Sequence, residues 1–195
     1  MKQTLLRKEK LMSILRVPVT PDDHIAGKDD APATLVEYGD YECPACGSAH
    51  PVVNRLRQHF GDELRFVFRH FPLNEIHPNA ETAAETAEFA GEHDRFWQMH
   101  EAIYDNQGQL GPSLLIAIAA QLRLPVADLE DALANGKYAP TVRSHFVGGI
   151  RSGVNATPTF FINNMRHDAD FSFNILARAI TDAIVENETR LRTAS

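Results

Sequence analysis

Both cysteines of the chain stand in one short stretch, Cys43-Pro44-Ala45-Cys46. Two thiols separated by two residues meet as a disulfide only where the backbone turns back on itself, and the first turn of a helix does that. Pro44 suits the first helical position, because its missing N–H is no loss there and its φ is already helical. Cys43 then becomes the N-cap, with its sulfur facing the N–H groups and the positive end of the helix dipole. A thiolate is stabilised there, and the thiol pKa falls to roughly 4 to 7 from about 8.5. Cys46 lies one turn in, with less access to the helix end and to solvent. The favoured chemistry is dithiol–disulfide exchange in which Cys43 attacks and Cys46 resolves. A zinc site would need further ligands, from His50 one turn beyond Cys46 or from a second copy of the chain. A structural disulfide across so short a loop would add little stability. No metal and no organic cofactor is expected, only the redox-active Cys43–Cys46 disulfide.

The elements that must hold this pair follow from the flanking pattern. Ala33 to Tyr38 is an apolar strand, which makes Glu37 inside it unusual, since a carboxylate on a central strand is normally paired or functional. An outward-facing strand position is the plainer alternative for Glu37. After Pro44, the residues Ala45, Ala49, Val52, Val53, Leu56 and Phe60 keep helical spacing up to Gly61. Leu64 to Phe71 alternates as a second strand and stops at Pro72. Strand, helix, strand implies a βαβ unit with parallel strands, and open α/β sheets keep their sites at the carboxyl end of the first strand.

From Leu73 to Ala156 the pattern is helical. Ala80, Ala83, Ala84, Ala87 and Ala90 form one face of a helix, and Glu81, Glu85, Glu88 and Glu92 read as its solvated acidic side. Ser113 to Leu122 is apolar nearly all round and is expected to be buried. The single histidines of this block, His77, His93, His100 and His145, carry no assigned chemistry. Thr157 to Ile162 follows as a strand headed by proline, Asn163-Asn164 suits a hairpin turn, and Phe171 to Glu188 is an amphipathic helix with Ile175, Leu176, Ala179, Ile180, Ala183 and Ile184 facing in. The tail beyond Asn187 is expected to fray.

Composition narrows the function class. A length of 195 residues with 44% hydrophobic and 23% charged residues is ordinary for a globular protein with a real core. The net charge of -7 disfavours nucleic acid and anionic membranes as partners. The first sixteen residues run against that balance, with Lys2, Arg7, Lys8, Lys10 and Arg16 against Glu9, and residues 1–20 are expected to form a flexible basic arm. Met12 is a second candidate start. No apolar run reaches the ~20 residues of a membrane span, and no secretory leader is evident, so a cytoplasmic location is expected, with a periplasmic one the alternative for a truncated or misassigned start. Confinement of both cysteines to one redox pair fits a reducing compartment.

The Val36-Glu37-Tyr38-Gly39-Asp40 strand, the Cys-Pro-X-Cys helix, the second strand, the large helical block and a Thr-Pro some 110 residues later together resemble the DsbA-like thiol-disulfide oxidoreductases of the thioredoxin superfamily, over about residues 24 to 185. The resemblance implies a thioredoxin-like α/β fold with a central mixed sheet and an all-helical insertion between a βαβ half and a ββα half. The core would be 21–72 with 156–188, and the insertion 73–155. It implies that Cys43 is the nucleophile, Cys46 the resolving thiol, Glu37 the family's buried acid and Pro158 its cis-proline. Tyr41, Pro44, Ala45, Thr157 and Pro158 are assigned to substrate contact. Position 45 is Ala where the strongly oxidising type member has His, so a potential between roughly -120 and about -270 mV is expected. The implied partners are cysteine-containing proteins or peptides and a second redox partner that recycles the dithiol. Two rivals use the same fold: a glutathione-transferase-like or small-molecule disulfide or peroxide reductase, and a binding module whose dithiol is incidental.

Overall fold

The computed structural model describes residues 14–194. Most of the basic arm and the second candidate start, Met12, lie outside the described residues. In chain order the elements are β1 (His24–Ala26), β2 (Ala33–Gly39), α1 (Pro44–Phe60), β3 (Leu64–His70), α2 (Ala80–Glu92), α3 (Phe96–Asp105), α4 (Pro112–Gln121), α5 (Val126–Ala134), α6 (Ala139–Arg151), β4 (Thr159–Ile162), β5 (Met165–His167) and α7 (Phe173–Ala194). This is the thioredoxin-like α/β order, with a mixed five-stranded sheet and a helical insertion. The chain divides into two compact units. Among the described residues, one comprises 14–38, Ser48–Arg69 and 148–194; the other comprises Gly39–Gly47 and His70–Val147.

The first unit is built on the sheet, whose strand order is β1-β3-β2-β4-β5. β2 is therefore the middle strand, which is why its sequence is apolar on both faces and why every residue but Thr34 is buried. Glu37 is only 2% exposed and stands opposite Phe160, so the outward-facing alternative does not hold. β4 runs antiparallel to β2, and β1 antiparallel to β3 as an edge strand. α1 buries Ala49, Val53, Leu56 and Phe60 at steps of four, three and four residues, the spacing of one helical face. Gly61 closes it at φ +50°, a left-handed position that glycine occupies without steric cost.

β4 begins at Thr159, one residue after the proline that cannot donate to a ladder, and the Thr157–Pro158 bond is cis. Asn163 and Asn164 both have positive φ, as a two-residue primed turn requires, and Ile162 pairs with Met165 across them. α7 is amphipathic on a narrower stripe than expected. Leu176, Ile180 and Ile184 are buried, but Ile175 is 42% exposed, because a helix lying on one strand layer buries only the residues that recur at steps of four. The helix also continues to Ala194 instead of fraying after Asn187.

One buried side chain ties several segments of this unit together. Arg69 donates from Nε and Nη2 to the two carboxylate oxygens of Asp23 (2.7 and 2.9 Å), from Nη1 to the Val17 carbonyl (2.8 Å) and the Tyr38 hydroxyl (3.0 Å), and from Nη2 to the Pro18 carbonyl (2.9 Å). The Leu15 N–H donates to the Asn164 carbonyl, the Arg16 N–H donates to Ser152 Oγ, and Ile14 bridges to Met165. Residues 14–18 are thus docked against the sheet, which corrects the expectation of a flexible arm for that part of the segment.

The second unit is helical, and α2 packs against α3, α4 and α5. That position corrects two expectations. Neighbouring helices cover the middle of that face, so Glu85 and Glu88 are each only 8% exposed and Glu88 accepts a 2.8 Å hydrogen bond from His70 Nε2, whereas Glu81 is half-buried and Glu92 exposed. Burial is the main reason the Glu85 carboxyl is raised above its usual pKa; the nearby Glu81 adds to it, and the N–H groups of Tyr138 and Ala139 oppose it. Conversely, α4, apolar nearly all round, buries only Leu115, Ile118 and Ala119 and leaves Ala117 and Ala120 exposed.

Candidate functional site

β2 runs directly into the loop Asp40–Glu42, and Cys43 precedes the first residue of α1. The Cys43 carbonyl accepts the Gly47 N–H at 3.1 Å, the first bond of the helix, which makes Cys43 its N-cap and Pro44 its first residue, as the spacing requires. The Cys43 N–H donates to the Asp40 carbonyl (3.2 Å), so residues 40–43 form a closed turn immediately before the helix. Both cysteines are thiols in the structure. Cys46 is 0% exposed and Cys43 7%, the order expected if the first thiol meets substrate and the second meets only the first. The Asp40 N–H points at Cys46 Sγ at 3.5 Å. A backbone donor at that distance favours the thiolate form of the sulfur.

Every residue of the turn is held by a side chain or backbone group of the helical unit. Asp40, fully buried at its carboxylate, accepts the Glu42 N–H (2.8 Å) on Oδ1 and, on Oδ2, the Leu73 N–H (2.8 Å) and a hydrogen bond with His77 Nδ1 (2.8 Å). The Glu42 carboxylate accepts the Asn79 N–H (2.6 Å) and the Asn79 side-chain amide (2.8 Å), one residue ahead of α2. The Tyr41 hydroxyl and His100 Nδ1 are 3.0 Å apart, and the Tyr41 ring lies among those of His70, His100 and Tyr104. Gln107 reaches back 66 and 64 positions in sequence to donate from one amide nitrogen to the carbonyls of Tyr41 and Cys43, at 2.9 Å each. The Gly39 carbonyl accepts the Phe71 N–H, which fixes the start of the loop.

Among the expected site residues, Cys43, Pro44, Ala45 and Cys46 are brought together at the start of α1, with Pro44 exposed and Ala45 half-buried. Tyr41 is adjacent, but its side chain is buried. That ring anchors the turn from inside. Glu37, Thr157 and Pro158 belong to the sheet unit, at the same end of the β2–β4 ladder, where Glu37 faces Phe160 and Tyr38 faces Thr159. Thr157 is buried and Pro158 half-buried. The His50 ring bonds Asn54 one turn further along the helix (3.1 Å).

Sequence reasoning missed Asp40, His77, Asn79, His100 and Gln107. Asp40 and Glu42 lie in the expected stretch and mark a turn by residue type. Their partners are 37 residues away, and that of Tyr41 is 59 away, with no local pattern to announce them.

Comparison with known proteins places this arrangement. A family model described as Thioredoxin matches residues 19–182. The chain is similar to oxidised BdbD from Bacillus subtilis, at 23% identity and a TM-score of 0.79, covering 88% of this chain and 98% of that one. It is also similar to alpha-DsbA1 from Wolbachia pipientis, at 21% identity and a TM-score of 0.78, over 91% and 98%, and to the catalytic domain of ScsC from Proteus mirabilis, at 16% and 0.73, over 94% and 98%. At these identities the likeness is one of fold. In sequence it is 43% identical over 179 residues to Na(+)/H(+) antiporter NhaA 1 of Salinispora arenicola and 39% identical over 177 residues to Na(+)/H(+) antiporter NhaA 3 of Salinispora tropica. The aligned part covers 91% and 90% of this chain but 27% of each relative, so the chain spans about a quarter of the length of the curated relatives it matches. Among the described residues, no helix is long and apolar enough to cross a membrane.

Proposed function

The chain belongs to the thioredoxin family, in its DsbA-like branch, and on that premise we propose that it exchanges disulfides with cysteine-containing proteins or peptides through Cys43 and Cys46. The observation that carries the reading is the pair itself: an N-cap thiol at the helix end and a fully buried thiol one turn in, with a backbone N–H on its sulfur.

In the reducing direction the Cys43 thiolate attacks one sulfur of a substrate disulfide. A Cys43–substrate disulfide forms, and the other substrate sulfur leaves as a thiolate. Cys46 then gives up its proton and attacks Cys43 Sγ, the Cys43–Cys46 bond forms, and the second substrate thiolate departs. Two electrons pass from the dithiol to the substrate, and the reverse sequence oxidises a substrate dithiol. Glu37, buried in the strand that leads into the turn, is the proposed acceptor of the Cys46 proton. Thr157 and Pro158 are proposed to dock an extended substrate through the Thr157 backbone, the proline presenting no N–H of its own. A partner protein must restore the dithiol or disulfide after each cycle.

The antiporter relatives favour a companion reading, in which the substrate disulfide or dithiol belongs to a membrane transport protein. One experiment addresses both readings. Cys46→Ala stalls the mixed disulfide, and the species held on Cys43 is identified from soluble and membrane fractions. A protein adduct is expected. A transport protein among the membrane adducts supports the companion reading. Glutathione alone on Cys43 moves the chain to the small-molecule reductases, and no adduct under oxidising conditions sinks the enzyme altogether.

A further inference from the structure

The thiolate at the head of α1 shares its residue with a carbonyl, and two residues earlier Tyr41 carries another. Carbonyl oxygens near a developing sulfur anion oppose it, while the N–H groups of the helix end favour it, so the orientation of these peptide units decides how much of the helix end the sulfur meets. In this chain both carbonyls are fixed by one group. Gln107 Nε2 has two hydrogens, and it gives them to the Tyr41 and Cys43 oxygens at 2.9 Å each. The Cys43 oxygen also holds the Gly47 N–H, so both of its lone pairs are used. Gln107 is neutral and acceptor-and-donor in one group, so it can tie carbonyls without bringing a charge of either sign to the thiol.

Gly47 is the second, independent sign of this arrangement. A Cβ built at position 47 would collide with Gln107 Oε1 and crowd the amide carbon at 2.9 Å. Glycine inside a helix costs about 1 kcal/mol relative to alanine. Its presence one turn after Cys43 is explained by the amide that lies over it.

We propose that Gln107 is the positioning residue of the Cys43 nucleophile: by tying the Tyr41 and Cys43 carbonyls over a glycine it holds turn 40–43 in the conformation that aims the helix end at Cys43 Sγ. This rests on the exchange reading for the purpose it serves, but it is read out on the thiol itself. Gln107→Ala removes both hydrogen bonds. Gly47→Ala leaves Gln107 in the sequence and displaces its flexible end. The double variant asks whether the two act through the same contact.

The test titrates Cys43 in the full chain by pH-dependent alkylation, with thermal unfolding measured in parallel. Each single variant is expected to raise the Cys43 pKa so that its thiolate fraction at a fixed acidic pH falls about threefold to tenfold, half a unit to one unit. The double variant is expected to match Gln107→Ala, with no added loss from position 47. An unchanged Cys43 titration in Gln107→Ala, with or without a lower unfolding temperature, overturns the positioning role. If that variant does not fold, Gly47→Ala decides alone by the same criterion. Additive shifts in the double variant overturn the claim that Gly47 acts by admitting the amide. Failure of the trapping experiment with a shifted titration would remove the proposed substrates and leave the positioning of Cys43 standing.

Discussion

Arg69 in the sheet unit and Gln107 in the helical unit solve the same problem with different chemistry. Each is a side chain that reaches far along the sequence to hold two backbone carbonyls, Val17 and Pro18 in one case, Tyr41 and Cys43 in the other. Arg69 does so with a buried cation, which is tolerated only because Asp23 lies against it in a bidentate pair and Tyr38 takes a further hydrogen. Gln107 does so with an amide that needs no counter-charge. A guanidinium ties structure for as long as its carboxylate partner stays ionised. A neutral amide ties structure and leaves the field at the thiol to the helix end. The first device suits a scaffold and the second a site that must titrate.

The widest separation between the two regions comes from a pair of variants. Cys43→Ser should abolish exchange, by more than about 10³-fold in turnover, with unfolding free energy close to that of the parent, because a hydroxyl at neutral pH is no substitute for a thiolate. Residual turnover within tenfold of the parent would break the assignment of the nucleophile. Arg69→Leu should do the reverse. It strands Asp23 as a buried charge and empties three further acceptors, for a loss of about 3 to 5 kcal/mol in urea unfolding, while the molecules that remain folded keep their Cys43 titration. A loss under about 1 kcal/mol would show that the network is dispensable, and a shifted thiol would show that the scaffold tunes the site.

A smaller effect sharpens the point about charge. Ala45→His adds a cation-forming ring beside the dithiol, where the chain uses only neutral donors. The disulfide should become more oxidising by about 30 mV or more, equivalent to roughly 1.4 kcal/mol in favour of the thiolate form. Equilibration with a glutathione couple measures it, and a potential unchanged within error would mean that position 45 does not face the sulfur.

The smallest effect falls on Glu85, a titratable group inside the helical unit and outside the turn. Its raised pKa means that the folded state holds the proton more tightly than the unfolded chain does. The carboxylate therefore penalises the fold above the ordinary carboxyl pKa, and the penalty disappears as pH falls below it. Glu85→Gln should raise the unfolding temperature at pH 7 by about 1 to 3 °C and give no gain near pH 3.5. A gain of equal size at both pH values would assign it to packing instead of ionisation.

What the sequence made legible is what local chemistry dictates. Pro44 and the spacing of the cysteines specify a helix start, the double-sided apolar run specifies the middle strand, and Asn163-Asn164 specifies the hairpin. What escaped was set by neighbours. The glutamates at 85 and 88 carry the period of a solvated face, but three other helices surround α2, and one of the two carboxylates meets His70. Ser113 to Leu122 carries the composition of a core helix but lies at a margin. At the site, the cysteines were visible in one glance at the sequence, whereas the residues that hold their turn come from positions 73, 77, 79, 100 and 107, each apolar or polar in an unremarkable setting. Pairings of this separation leave no period to detect.

The docking of residues 14–18 bears on a different hazard. β5 is the last strand of the sheet, three residues long, and among the described residues no strand lies along one of its sides. Such an edge offers backbone groups to any extended chain, including another molecule of the same protein. Ile14 forms a bridge to Met165 on that strand, and Leu15 bonds the carbonyl of the hairpin residue before it. The segment thereby occupies part of the template on which edge-to-edge aggregation would grow, so a polypeptide trimmed back past Pro18 would keep its dithiol turn and lose its guard against self-pairing.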